Sequence, residues 1–130
     1  MILLSSAWIS SSLLPVDYSL DGIKVTGFVT KPTASRKNRS MQFFFLNGRY
    51  IRTKTAMAAL EQAYKNRIMV GNFPGCVLNI NLDASQVDVN VHPSKIEVRF
   101  SNEQSIFRAV YYAVMSALSA DVSRVEFNTN

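Results

Sequence analysis

The residues with the types and spacing to do chemistry are one isolated lysine and a concentration of cations upstream of it. Lys95 closes the run Val87-Asp88-Val89-Asn90-Val91-His92-Pro93-Ser94-Lys95. Val87, Val89 and Val91 alternate with Asp88, Asn90 and His92, a period of two that puts the valines on one face of a strand. Pro93 has no N–H to donate, so the strand is expected to stop there and Lys95 to project from the turn. An ammonium held in that way can serve as a point charge for a terminal phosphate bound by something else. Taken alone, a turn lysine is more often merely solvated.

The second feature is charge. Residues 36 to 67 carry Arg36, Lys37, Arg39, Arg49, Arg52, Lys54, Lys65 and Arg67 against the single acid Glu61, a local charge of +7 in a chain of net charge +5. A field this concentrated attracts polyanions, nucleic acid first among them. A solvated basic face with no partner is the competing reading, and charge alone does not choose between them.

Other chemistry finds little support. His92 is the only histidine and Cys76 the only cysteine, so an internal disulfide is impossible and a structural zinc site is not expected. Nothing local pairs Cys76 with a base. Asp88 and Glu97 read as ordinary polar-face residues, and there is no glycine-rich phosphate loop. No apolar stretch reaches the ~18 residues a membrane helix needs. The stretch from Met1-Ile2-Leu3-Leu4 to Leu13-Leu14 lacks a positive start and is interrupted by serines. It reads as a short amphipathic segment or the cut edge of a longer protein rather than a signal peptide.

The elements that must position Lys95 and the cations follow from pattern. The chain has 130 residues, 48% of them apolar, which suits one domain with a real core. Residues 16 to 30 read as a strand pair around an Asp21-Gly22 turn, and 31 to 40 as a polar loop. Met41 to Leu46 is a dense apolar strand, Asn47-Gly48 is a type I′ turn signal, and Arg49 to Arg52 continues beyond it. Thr53 stands where an N-cap belongs. Ala56, Met57, Leu60, Ala63, Tyr64 and Ile68 then follow helical spacing until Asn72 to Gly75 breaks it. Val77 to Leu82 and Ile96 to Phe100 alternate as strands. Ser101, with Gln104 three residues on, predicts a capping box for a last helix whose stripe runs from Ile106 to Leu118. The order is strands, helix, strands, helix, so a sheet with helices on one face is expected. The expected bounds are a leading segment over 1–12, the domain over 13–120 and a fraying tail over 121–130.

Two runs carry a family resemblance. Phe45-Leu46-Asn47-Gly48-Arg49, followed by Gln86-Val87-Asp88-Val89-Asn90-Val91-His92-Pro93-Ser94-Lys95-Ile96-Glu97-Val98-Arg99-Phe100, closely resembles the MutL family of DNA mismatch repair proteins. The matching part is the second, or transducer, domain of the family's N-terminal half. The resemblance implies an α+β fold of the ribosomal protein S5 domain 2-like type. That fold is an α/β sandwich with helices on one face of a mixed sheet and a left-handed βαβ crossover, an exception to the usual hand.

In the family, ATP and Mg²⁺ are bound by a separate GHKL-type ATPase domain. The lysine of the H-P-x-K turn reaches across to the γ-phosphate. Here that residue is Lys95, implied to sense nucleotide and to stabilise developing charge. Asn90, His92 and Pro93 are implied to organise its turn. The chain itself would bind neither cofactor and would not be an enzyme on its own. The resemblance also gives the cations a role in contacting DNA phosphates without sequence preference. Arg49 lies in the N-G-R motif, Lys54 at the start of the following helix and Arg52 between them.

Implied partners are DNA, the ATPase domain, a homodimer partner and other mismatch repair proteins, with no membrane and no metal of the chain's own. The implied location is cytoplasmic in a bacterium, or otherwise with the DNA. The transducer of another GHKL ATPase, such as a type II topoisomerase subunit, and an S5-like RNA-binding module are the alternatives.

Overall fold

The computed structural model describes the backbone of residues 13–92 and 95–128, with side chains described over 13–88 and 98–120. The leading segment 1–12 lies outside the described residues. Seven strands and two α-helices follow in chain order: β1 (Leu13–Leu20), β2 (Ile23–Thr30), β3 (Gln42–Leu46), β4 (Arg49–Ile51), α1 (Lys54–Ala63), β5 (Cys76–Asn81), β6 (Val87–His92), β7 (Lys95–Phe100) and α2 (Glu103–Asn128).

Local chemistry sets the tight turns. Asp21 and Gly22 both adopt positive φ (53° and 80°), which suits a two-residue turn that leaves Leu20 opposite Ile23. Asn47 (49°) and Gly48 (88°) do the same between β3 and β4, leaving Leu46 opposite Arg49. Five strands then form one mixed sheet in the order β1-β2-β5-β3-β4. β3 and β5 are parallel, and the connection between them passes through β4 and α1; the other pairs are antiparallel. Gly27 makes the β2–β5 pairing possible. Its φ is +136°, and a Cβ there would stand 2.0 Å from the Val77 carbonyl oxygen.

Alternation along the strands selects the core. Val25, Val29, Phe44, Leu78 and Ile80 are buried on one face, where Ala56, Ala59, Leu60 and Ala63 of α1 and Ile106, Val110, Val114 and Leu118 of α2 cover them. Each large apolar side chain so enclosed contributes roughly 1.5–3 kcal/mol relative to exposure. Alanines on the facing sides of the two helices let them approach closely, and α2 also lies along β1 and β2. The opposite face is open. Phe28, Tyr50 and Val77 are exposed there, and Tyr50 packs edge-on to Phe45 with ring centroids 5.7 Å apart. The expected mixed sheet with helices on one face is present.

β6 and β7 stand outside this sheet as a hairpin of their own, registered from Val87 opposite Phe100 to His92 opposite Lys95. Its base joins the body through the Ser101 N–H, which donates to the Gln86 carbonyl at 2.9 Å, and through buried Phe100.

Three local expectations are corrected. α1 ends at Ala63, short of Ile68. Tyr64 is fully buried with its hydroxyl donating to the Thr30 carbonyl, and Asn66 turns the chain at φ 69°. The pull of that buried phenol on β2 outweighs the helical spacing. At the start of α2 the cap is Asn102, not Ser101: the Asn102 Oδ1 accepts the Ser105 N–H at 3.1 Å. Ser101 is instead held in the hairpin base. Finally, Lys95 is the first residue of β7 rather than a turn residue, because the ladder extends as far as its pairing with His92.

Candidate functional site

Asn47 shows why the turn before Arg49 carries an asparagine. Its amide nitrogen donates to the Leu82 carbonyl and its amide oxygen accepts the Leu82 N–H, both at 3.1 Å. Its backbone N–H reaches the Ile80 carbonyl at 2.8 Å. The Asn79 side chain accepts the Gly48 N–H at 2.9 Å. The turn is thereby pinned to the end of β5, and Arg49 leaves it from a fixed backbone position.

Arg52 follows β4 directly. Thr53 then caps α1, its hydroxyl accepting the Ala56 N–H at 3.3 Å, and Lys54 is the first helical residue. Arg49, Arg52 and Lys54 are all exposed and form no ion pair with any described residue. Two other cations are engaged by acids. Arg39 is paired with Glu61 at 2.6 Å and stacked on the Phe73 ring at 4.2 Å, and Arg108 lies 3.4 Å from Asp21. Burial alone would raise the Glu61 carboxyl. Hydrogen bonds from Arg39 and Gln42 outweigh it and hold the group below its ordinary range.

α1 has no acid in its own first turn, and Lys54 sits at the positive end of its dipole. A cation there costs roughly 0.3–1 kcal/mol, a local rule broken where an arriving anion would reverse the sign. Arg36 and Lys37, with Ser35 and Asn38, line a separate surface depression of about 410 Å³.

The structure brings β7, the strand that begins with Lys95, against β4. Lys95 itself is at the opposite end of β7 from Phe100, about 17 Å away at ordinary strand rise. Asn90 and His92 occupy β6 opposite Glu97 and Lys95. Pro93 lies outside the described residues.

One residue was missed by sequence reasoning. Glu103, the first residue of α2, accepts the Phe100 N–H at 3.1 Å through Oε2 and the Thr55 hydroxyl through Oε1. An acid in a first helical turn is a readable signal. A threonine partner 48 residues away is not.

Cys76 is no nucleophile in this setting. It is buried, its Sγ lies 3.8 Å from the Phe43 carbonyl, and burial pushes its pKa up to about 12. Among the described residues no group of three or more His, Cys, Asp or Glu side chains converges, and no helix is long and apolar enough to cross a membrane.

The family described as "DNA mismatch repair protein, C-terminal domain" matches residues 4–119. The chain belongs to that DNA mismatch repair family. A MutL protein of Symbiobacterium thermophilum is 48% identical over 111 residues, covering 85% of this chain and 18% of that protein. The chain therefore spans less than a fifth of the curated MutL relative it matches. A solved N-terminal domain of a DNA repair protein superposes with a TM-score of 0.66 at 21% identity, covering 91% of this chain and 39% of that one. The B-subunit of DNA gyrase from Myxococcus xanthus gives 0.52 at 14% identity, covering 85% and 37%. These two likenesses establish the fold, a mixed α+β domain consistent with the S5-like type. The MutL relationship rests on the sequence.

Proposed function

We propose that this chain is the part of a longer MutL-family ATPase that senses bound nucleotide and lays cations along DNA. In this reading, residues 13–120 form the transducer domain closing the N-terminal half of that protein. ATP and Mg²⁺ are held by an ATPase domain outside this chain. Lys95 supplies one ammonium to the γ-phosphate, and Asn90, His92 and Pro93 organise the connection that carries it. The chain alone performs no catalysis. Arg49, Arg52 and Lys54 contact phosphates rather than base edges, since three cations around a helix start with no described ion-pair partner read charge and not sequence. The remaining partners would be a second copy of the parent protein and other mismatch repair proteins, at the DNA.

The observation that carries this reading is the pinned Asn47-Gly48 turn with three cations beside it that pair with no described acid, next to the strand that begins with Lys95. The test uses the full-length protein. Arg52→Glu with Lys54→Glu should weaken binding to duplex DNA of any sequence and flatten its salt dependence by about one unit of slope per lost contact. Unchanged affinity would remove the DNA assignment. Preference for structured RNA over duplex DNA would favour an RNA-binding module instead.

A further inference from the structure

We propose that Glu103 is a positioning residue that couples the Lys95 hairpin to the basic start of α1, so that nucleotide and DNA are sensed through one carboxylate. The inference rests on the roles proposed above for Lys95 and Lys54 and adds the link between them.

The two oxygens of Glu103 serve two different elements. Oε2 accepts the N–H of Phe100, the last residue of the strand that Lys95 begins. Oε1 accepts the hydroxyl of Thr55, the neighbour of Lys54 in the first turn of α1. No other described side chain hydrogen-bonds to both the hairpin and α1. The hairpin shares no ladder with the five-stranded sheet, and its described packing is at its base. That base holds the Ser101–Gln86 bond, buried Phe100 and the Glu103 carboxylate. A cavity of about 290 Å³, lined in part by Asp21, Leu82, Gln86, Phe100, Asn102 and Ser105, lies against the base and leaves room for it to shift.

A small rotation at Phe100 is carried to Lys95 along about 17 Å of strand. On the other side, the carboxylate stands beside the helix start to which a DNA phosphate would come. A phosphate at Lys54 competes with Glu103 for the positive end of α1 and loosens its hold on Thr55. The hairpin base is then free to take the tilt that presents Lys95. Coupling of this kind is reciprocal for binding: nucleotide must change DNA affinity by the same factor as DNA changes nucleotide affinity.

The experiment measures turnover of the full-length protein with and without duplex DNA, and DNA affinity with and without a non-hydrolysable ATP analogue. Thr55→Val removes one arm of the link while preserving side-chain shape, and Thr55→Ser restores the hydroxyl. Thr55→Val is expected to raise turnover without DNA toward the DNA-stimulated rate and so to reduce both ratios at least threefold, and Thr55→Ser to return them to wild type. A merely structural Glu103 would lower the midpoint and leave the ratios alone. Wild-type ratios of one, or ratios untouched by Thr55→Val, overturn the proposal. Lys95→Ala and Lys54→Glu run beside it. If they slow turnover and weaken DNA binding while Thr55→Val does nothing, the link has failed and the proposed function stands. If those two are also silent, the proposed function has failed as well.

Discussion

The five-stranded sheet and the β6–β7 hairpin both contain strands of alternating apolar residues, yet they sit in the molecule differently. In the sheet, β2 and β5 each have a neighbour on both edges, and two helices close one face. The hairpin has one neighbour per strand, and its described packing is at the base, where Val87 and Val98 are half-buried and Phe100 is buried. A helix-covered body and a separate two-stranded arm are therefore both made from alternating apolar residues. The difference comes from what covers them. It also suits a division of labour, in which the body holds the cations of β4 and α1 in place and the arm carries Lys95.

Substitutions can test that contrast, beginning where the body is least forgiving. Gly27→Val should prevent folding, because any Cβ there collides with the Val77 carbonyl and the +136° φ disfavours every side chain. The expected loss exceeds about 4 kcal/mol, read as absence of a cooperative unfolding transition. Leu78→Ala, at a fully buried site in the sheet's central strand, should cost about 2–5 kcal/mol in urea unfolding. Val98→Ala, half-buried in the hairpin, should cost only about 1 kcal/mol. Equal losses at the two sites would erase the distinction between body and arm.

Lys95→Ala should slow ATP turnover of the full-length protein about tenfold or more, equivalent to about 1.4 kcal/mol, while the unfolding midpoint stays put. A large drop in midpoint would make Lys95 part of the body instead.

The smallest effect concerns the loop clasp on α1. The folded pKa of Glu61 lies below its ordinary 4.5, so its contribution is present above about that pH and is lost as pH falls through the folded value. Glu61→Gln should lower the midpoint at neutral pH and converge with wild type in acid. A gap that widens on acidification would contradict the clasp.

What could be read in advance was local. Asn47-Gly48 and Asp21-Gly22 signal tight turns because positive φ is a property of those residues. Thr53 signals a cap because its hydroxyl needs only the N–H three residues on. The errors arose where a distant partner outcompeted a local preference. Tyr64 belongs to the helical stripe by spacing, but its hydroxyl finds Thr30, 34 residues away, and the helix stops. Ser101 looks like a cap by type, but its backbone is engaged by Gln86 and Asn102 takes the role. The separation of the hairpin from the main sheet was hidden for a related reason: an alternating strand specifies a face and not a neighbour.

By itself, the amino-acid sequence determined the turns, the apolar faces, the basic stretch and the motif ending in Lys95, and with these the membership in the mismatch repair family. Each is a matter of residue type at short spacing. The tertiary structure decided which cations find an acid among the described residues. Arg39 is paired by a glutamate 22 residues away, whereas Arg49, Arg52 and Lys54 find no described ion-pair partner. It also decided that Glu103 bridges Phe100 and Thr55, because a carboxylate chooses its donors from whatever the packing of helices and hairpin brings within hydrogen-bond reach.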